Sequence, residues 1–262
     1  MPVIERNQNI LYTSTVEQLS NLLKKVKDLT TINARIIMRF EKNNVLLISF
    51  VGESFKDIHA FKNYVFPLGE IMTIKKGSID EPLFFIVKDG KKFHRIVENF
   101  LDYKDDIKCK ISVDDENYIN HISFNNEKLD IKIIGNNSLT VGSEISIDDI
   151  NYLMDVEKSV FNFRINRADF FQIKKLGLIE RIKDDIKSPL YINVVNKKLS
   201  IGETKWHVNI TEVENEDITL SFPKIYFNTI NPNDFIDIFV FEEFILCKYD
   251  DYNLMIVLET TV

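Results

Sequence analysis

Hydrophobic residues recur at helical spacing in four segments, and strand-like sequence follows each one. The first segment, residues 15–29, carries a stripe formed by Val16, Leu19, Leu22, Leu23, Val26 and Leu29. Thr15 is its predicted N-cap, with Gln18 as the capping-box partner three residues later. The second, residues 91–103, repeats apolar residues at positions i, i+3, i+4, i+7 and i+8. A third helix is predicted over 167–183 after an Asn166 N-cap, and a short fourth over 221–230 with Pro223 at its first position.

Between these helices, runs rich in β-branched and aromatic residues alternate with turn residues. The predicted strands are 34–40, 45–51, 107–113, 118–124, 128–134, 160–165, 190–195, 199–203, 205–213, 234–241, 244–249 and 254–259. Residues 55–87 are β-rich but less regular, and the pattern leaves the role of this long segment open.

The helix and strand pattern occurs twice. Residues 136–158 are rich in Asn, Ser and Asp, and they are predicted to connect an N-terminal domain, 1–135, to a C-terminal domain, 159–262. Each half repeats the order helix, strands, helix, strands. The sequence therefore predicts a duplicated α+β domain dominated by antiparallel sheet.

The composition excludes several classes of protein. A hydrophobic content of 45% with 20 phenylalanines argues against disorder. No apolar run approaches the roughly 20 residues that span a bilayer, and the first 15 residues lack the apolar core of a signal peptide. Cys109 and Cys247 lie in apolar-alternating runs and are expected to be reduced core residues. These features favour a cytoplasmic protein (host cytoplasm if viral) without a membrane partner.

Residues that carry chemistry form no recognisable motif. The four histidines, His59, His94, His121 and His207, have no metal-ligand spacing among themselves or with the cysteines. The sequence contains no Walker loop, dinucleotide fingerprint or GxSxG elbow. We therefore expect a non-enzyme with no catalytic residues, no metal and no cofactor.

Basic residues cluster on the predicted helices although the chain carries 40 acidic and 33 basic residues, a formal charge of −7. The candidate DNA-facing residues are Lys24, Lys25, Lys27, Lys91, Lys92, Arg95, Lys174, Lys175, Arg181, Lys183 and Lys224. Concentrated on repeated elements, such residues suit phosphate contacts without base readout, which is sequence-independent binding. A solvated helix face is the alternative interpretation of each run.

Three stretches resemble the DNA polymerase sliding clamps of the two-domain type, which include proliferating cell nuclear antigen and the clamps of tailed bacteriophages. Residues 22–26 lead through 30–33 into a hairpin, residues 221–227 lead through 230–232 into 236–240, and 244–249 with 255–259 form the last hairpin. The resemblance implies the DNA clamp fold, a homotrimeric ring around double-stranded DNA, an ATP-driven clamp loader and a bound DNA polymerase. The wealth of Lys, Asn and Ile suits a virus or an AT-rich bacterium, and we expect a bacteriophage protein.

The resemblance also implies two further surfaces. By element order, the subunit interface would use Leu129, Ile131, Ile133, Trp206, Val208 and Ile210. A partner-peptide groove would be bordered by Ile145, Ile147, Ile150, Leu153, Met154 and Leu258, although the connector residues among them could instead tether the connector to the sheet. Two alternative functions stay open: a non-ring DNA-binding processivity subunit of the same fold, and a β-rich virion or assembly protein.

Overall fold

The computed structural model describes residues 8–52, 58–102, 106–136, 147–153, 155–179 and 189–259. The chain divides into two compact units, Met1–Asp57 with Asn63–Asp149, and Ile58–Lys62 with Ile150–Val262. The main division, after Asp149, falls inside the segment predicted to be a connector. The domain limits derived from the sequence stay a prediction.

The first unit contains nine strands and two helices within its described residues. In chain order these are β1 (Gln8–Ser14), α1 (Val16–Leu29), β2 (Ile36–Phe40), β3 (Asn44–Val51), β4 (Ala60–Pro67), β5 (Thr73–Lys76), β6 (Leu83–Val87), α2 (Gly90–Glu98), β7 (Ile107–Val113), β8 (Ile119–Asn125) and β9 (Asp130–Ile134). The first residues of β4, up to Lys62, are grouped with the second unit.

Two antiparallel sheets enclose the core of the first unit. One has the order β5-β1-β7-β8-β9, and strands β4-β3-β2-β6 form the other. In β7 the burial alternates strictly, so Ile107, Cys109 and Ile111 face the core while Lys108 and Lys110 face solvent. The apolar stripe of α1 packs into this core.

The second unit repeats the plan. After α3 (Ile147–Leu153), its elements are β10 (Phe161–Asn166), α4 (Arg167–Ile179), β11 (Pro189–Val195), β12 (Lys198–Glu203), β13 (Trp206–Glu212), β14 (Ile218–Pro223), α5 (Lys224–Phe227), β15 (Phe235–Val240), β16 (Phe244–Tyr249) and β17 (Tyr252–Val257). Strands β10-β15-β16-β17 and β13-β12-β11-β14 form its antiparallel sheets. The predicted duplicated α+β fold is confirmed.

Local signals read from the sequence are confirmed at both long helices. The Thr15 side chain accepts from the Gln18 amide, and the Gln18 side chain accepts from the Thr15 amide, which completes the capping box of α1. Asn166 Oδ1 accepts from the amide of Asp169 at the start of α4. Both caps satisfy backbone donors that have no partner inside the helix.

Three sequence predictions are wrong in extent. Residues 8–14 form strand β1, which was not predicted, and α2 ends at Glu98 rather than 103. Residues 221–223, predicted as the start of a helix, complete strand β14, and α5 is a single turn that begins at Lys224. Residues 180–183 of the third predicted helix lie outside the described residues. None of the described helices is long and apolar enough to cross a membrane.

Candidate nucleic-acid interface

Helices α1 and α2 pack beside each other in the first unit. Gly90, the first residue of α2, donates its amide to the carbonyl of Ala34 at 2.7 Å. A β-carbon at position 90 would lie 2.5 Å from Ile36 Cδ1 and 2.8 Å from Thr30 Cγ2, so any larger residue would require these two side-chain ends to shift. The contact fixes the start of α2 against the segment that follows α1.

The faces of α1 and α2 turned away from the core are basic. Lys24 and Lys27 are exposed on α1, as are three residues of α2, Lys91, Lys92 and Arg95. Glu17 and Glu98 are the exposed acids within the two helices. These five cations are available to an external anion.

Lys25 differs from its neighbours because it is half-buried. Its Nζ lies 5.1 Å from the centroid of the Tyr64 ring and 4.9 Å from that of Phe66. An ammonium group over aromatic faces is stabilised by the ring quadrupole. Lys25 therefore packs against strand β4 of its own unit in addition to carrying charge.

Helix α4 of the second unit exposes fewer cations. Lys175 is exposed, whereas Lys174 is half-buried and its Nζ donates to the carbonyls of Asn228 and Ile230, at 2.8 and 3.1 Å. Burial lowers the pKa of Lys174. The ammonium thus satisfies carbonyls just after α5. Arg167, which sequence reasoning did not include, is exposed at the start of α4.

Lys224 was predicted to face DNA, but the structure places it elsewhere. Its side chain is 10% exposed, and Nζ lies 2.5 Å from Glu203 Oε1, whose side chain is 8% exposed. The ammonium is therefore committed to a buried ion pair and does not face solvent, so we remove Lys224 from the candidate DNA-contacting residues. The predicted contacts Arg181 and Lys183 lie outside the described residues.

The two strands predicted to join subunits are both sheet edges. Strand β9 ends the five-stranded sheet, and β13 ends the sheet formed with β12, β11 and β14. An edge strand presents unpaired backbone donors and acceptors to another strand. A contact between subunits could therefore form by pairing β9 of one copy with β13 of the next.

The predicted interface side chains mostly face their own unit. Val208 is 7% exposed, and a β-carbon at Gly177 of α4 would lie 3.6 Å from the Trp206 ring. The side chains of Leu129, Ile131, Ile133 and Ile210 are half-buried. Any pairing at these edges would therefore rest on backbone hydrogen bonds more than on these side chains.

The predicted partner groove is only partly described. Ile145 and Met154 lie outside the described residues, as do the side chains of Ile147 and Leu153 within α3. Ile150 is 1% exposed, which agrees with the tethering alternative for this residue. Leu258 is half-buried, and Tyr152, which sequence reasoning did not include, is 70% exposed with Lys158 Nζ 3.9 Å from its ring centroid.

Titratable groups elsewhere form no reactive cluster among the described residues. No group of three or more His, Cys, Asp or Glu in that part of the chain could hold a metal ion. Burial raises the pKa of the Cys109 thiol to about 12, and it also raises the pKa of Cys247. Both thiols are buried and protonated at neutral pH, as expected for structural cysteines.

Two paired helices backed by antiparallel sheets, present twice, define the sliding-clamp fold, and solved structures confirm it. The chain aligns with DNA polymerase III subunit beta from Borrelia burgdorferi at a TM-score of 0.62 and 15% identity, over 97% of this chain and 65% of that chain. For a putative beta subunit from Eubacterium rectale the TM-score is 0.61 at 16% identity, over 99% and 67%. For a sliding clamp from Pseudomonas aeruginosa it is 0.64 at 9% identity, over 97% and 65%.

The chain spans about two thirds of the length of these structures. No protein-family model matches the sequence, and no curated protein matches it. At these identities the likeness establishes the fold.

Proposed function

We propose that the chain is a DNA polymerase processivity factor that binds double-stranded DNA independently of sequence and tethers the polymerase. The sliding-clamp fold supports this proposal, and one observation carries it. In a chain of net charge −7, the described faces of α1 and α2 expose five cations against two acids. Lysine and arginine on helix surfaces can contact phosphates without reading bases, as sliding requires.

We further propose that three chains close into a homotrimeric ring. One chain offers two different sheet edges, β9 and β13, and pairing the first with the second of the next copy gives a heterologous contact. Repetition of that contact closes a ring if the rotation allows it. A clamp loader and a bacteriophage origin complete the proposal. The loader derives from the resemblance, and the origin derives from the resemblance together with the Lys, Asn and Ile content.

The first experiment measures assembly. Multi-angle light scattering across a concentration series should give three times the chain mass of 30.7 kDa. Replacing Lys132 in β9 with Pro should convert the trimer to monomer. The hydrogen-bonded pairs of this hairpin include Asn126 with Leu129 and Asn120 with Gly135, so the Lys132 amide faces the open edge, and Pro removes that donor. Circular dichroism checks that the variant remains folded. A monomeric wild-type protein at all concentrations would overturn the ring.

The second experiment measures DNA contact. Reversing Lys24, Lys27 and Lys92 to Glu should weaken binding to any duplex, and the slope of log K against log salt should fall by about 1 per lost phosphate contact. Folding should be intact, since exposed substitutions usually change stability by within about 0.5 kcal/mol.

The matched control reverses three lysines that are exposed outside the helices, Lys42, Lys198 and Lys205. It changes the net charge equally and should retain binding and polymerase stimulation. Equal loss in both variants would show that only net charge matters. Normal processivity in the helix variant would place the DNA elsewhere.

The third experiment concerns the polymerase. We propose that partner peptides bind beside α3 and Leu258, where short apolar anchors would fill a modest groove. Replacing Ile147 and Leu153 with Ser should weaken polymerase binding while the oligomer persists. Dissociation or unfolding of the variant would instead identify these residues as tethers.

A non-ring subunit of the same fold is the second candidate. One observation favours it: Lys174 donates to backbone carbonyls and Lys224 pairs with Glu203, so neither ammonium group is available to DNA. Within the described residues of α4 and α5, the exposed cations are therefore Arg167 and Lys175. DNA held mainly by the first unit does not require encirclement. A linear duplex with blocked ends separates the two candidates, because only a ring is retained on it.

A further inference from the structure

The solvent-facing side of the five-stranded sheet in the first unit is basic, although none of its residues belongs to the helices. Lys76, Lys108, Lys110 and Lys132 are exposed there, on strands β5, β7 and β9. We refer to these four residues as the lysine face. Its properties do not depend on the proposed DNA binding.

The register places the lysine face in one continuous row. Leu11 of β1 lies opposite Lys76 and Lys110, while Ser123 of β8 lies opposite Lys110 and Lys132. Residues in register on neighbouring antiparallel strands point to the same side of a sheet. At a strand spacing of about 4.8 Å, the backbones of Lys76, Lys110 and Lys132 are separated by about 10 Å from one to the next.

Within the described part of the chain, no ion pair neutralises the positive charge of this face. None of the four lysines forms an ion pair among the described residues, and Asp130 is the acid carried by the same side of the strands. His121 reports the local potential, because burial first, and then the charges of Lys132 and Lys110, lower its pKa. An external anion would gain from this potential.

Aliphatic groups lie among the lysines. Leu11 is 39% exposed between Lys76 and Lys110 in the row, and Ile134 is 76% exposed at the end of β9. On the described strands this side carries no Phe, Tyr or Trp on which a nucleic-acid base could stack. Lysines that surround an aliphatic side chain complement carboxylates that flank an apolar residue, whereas a phosphate backbone has no apolar group to place there.

We propose that the lysine face docks an acidic, aliphatic peptide segment of a partner protein. In an extended peptide, residues two apart point to the same side and are separated by about 7 Å, and residues four apart by about 13 Å. The first spacing matches Lys108 and Lys110, which are two residues apart in β7. Carboxylates four residues apart in a peptide that crosses the strands can reach Lys76 and Lys110, with the residue between them over Leu11. Carboxylates then contact the ammonium groups while an aliphatic side chain covers Leu11.

The test uses the full chain and a fluorescent synthetic peptide of sequence Asp-Ser-Leu-Ser-Asp at low ionic strength, because an extended chain places its two carboxylates and its leucine on the same side. Reversal of Lys76, Lys110 and Lys132 to Glu should weaken peptide binding at least about tenfold. The control with Lys42, Lys198 and Lys205 reversed should bind within about twofold of wild type. An analogue with Asn in place of Asp should not bind.

A second variant separates a peptide site from a general anion site. Leu11→Ser keeps every charge and should weaken the peptide about fivefold while leaving a single-stranded oligonucleotide unaffected. The proposal is overturned if the lysine-face variant binds the peptide as wild type does. It is also overturned if Leu11→Ser has no effect and the oligonucleotide is the ligand lost on charge reversal, which would define a nucleic-acid surface.

Failure of this test leaves the proposed processivity function standing. The variants that test DNA contact change α1 and α2, whereas these change strands β1, β5, β7 and β9. Duplex binding measured on both sets of variants keeps the two outcomes distinct.

Discussion

Replacing Lys224 with Met should destabilise the second unit instead of weakening DNA binding selectively. The ammonium lies 2.5 Å from Glu203 Oε1, and the two side chains are 10% and 8% exposed. Helix α4 closes over the pair at Gly177, where a β-carbon would lie 3.5 Å from Lys224 Cδ and 3.6 Å from Glu203 Oε1. The substitution therefore leaves a carboxylate buried without its counter-charge.

The expected loss is about 3–5 kcal/mol, the usual result of removing one partner from a buried ion pair. It is a large part of the roughly 5–15 kcal/mol by which domains are stable. Urea unfolding followed by tryptophan fluorescence suits the measurement, because the single tryptophan, Trp206, also lies beside Gly177.

Two controls make the prediction specific. The double variant Lys224→Met with Glu203→Leu should recover most of the loss, because apolar replacement of a whole buried pair is often neutral. Lys175→Met, at an exposed position of α4, should stay within about 0.5 kcal/mol of wild type. The reasoning is refuted if Lys224→Met unfolds at the wild-type urea concentration but loses duplex binding, since the lysine would then face DNA.

Four further perturbations have defined outcomes. Gly90→Ala should cost at most about 1–3 kcal/mol in urea unfolding, because the ends of the Ile36 and Thr30 side chains, 2.5 and 2.8 Å from the new methyl group, must move aside; a gain in stability would contradict this. Thr15→Ala removes the side-chain cap of α1 and should cost about 1 kcal/mol, whereas Thr15→Ser should cost little. Cys109 and Cys247 should resist iodoacetamide at pH 8 until urea unfolds the chain, because both are buried and have raised pKa values. The Cys109 thiol has a pKa near 9 in the unfolded chain and about 12 in the folded chain. The unfolded state therefore loses this proton first, and the free energy of unfolding should fall as the pH rises above about 9. A free energy of unfolding that stays constant from pH 8 to 10 would contradict this.

Sequence patterns predicted the elements whose signals are local. The capping box at Thr15 and the apolar stripe of α1 are both contained within one helix, and both are confirmed. The edge positions of β9 and β13 agree with the order of elements. Local propensity and periodicity suffice where the element makes its own hydrogen bonds.

The sequence-based predictions were wrong where contacts with residues distant in the chain determine the structure. Ile218, Leu220 and Phe222 alternate with polar residues, and pairing with β11 continues the strand to Pro223 in place of the predicted helix. The partners of Lys224 and Lys174 lie 21 and at least 54 residues away, so nothing near either lysine indicates that its charge is used internally. Such pairings depend on tertiary contacts that periodicity does not contain.

The duplication preserved the order of elements but not the chemistry that holds each helix pair together. In the first unit the start of α2 is held by the hydrogen bond from the Gly90 amide to the Ala34 carbonyl, at 2.7 Å. In the second unit α4 and α5 meet through the Phe170 and Phe227 rings, 5.2 Å apart, beside the buried Lys224 and Glu203 pair. The two halves are therefore topological copies that are no longer interchangeable parts, and a segment transplanted from one half to the other would meet the wrong partners.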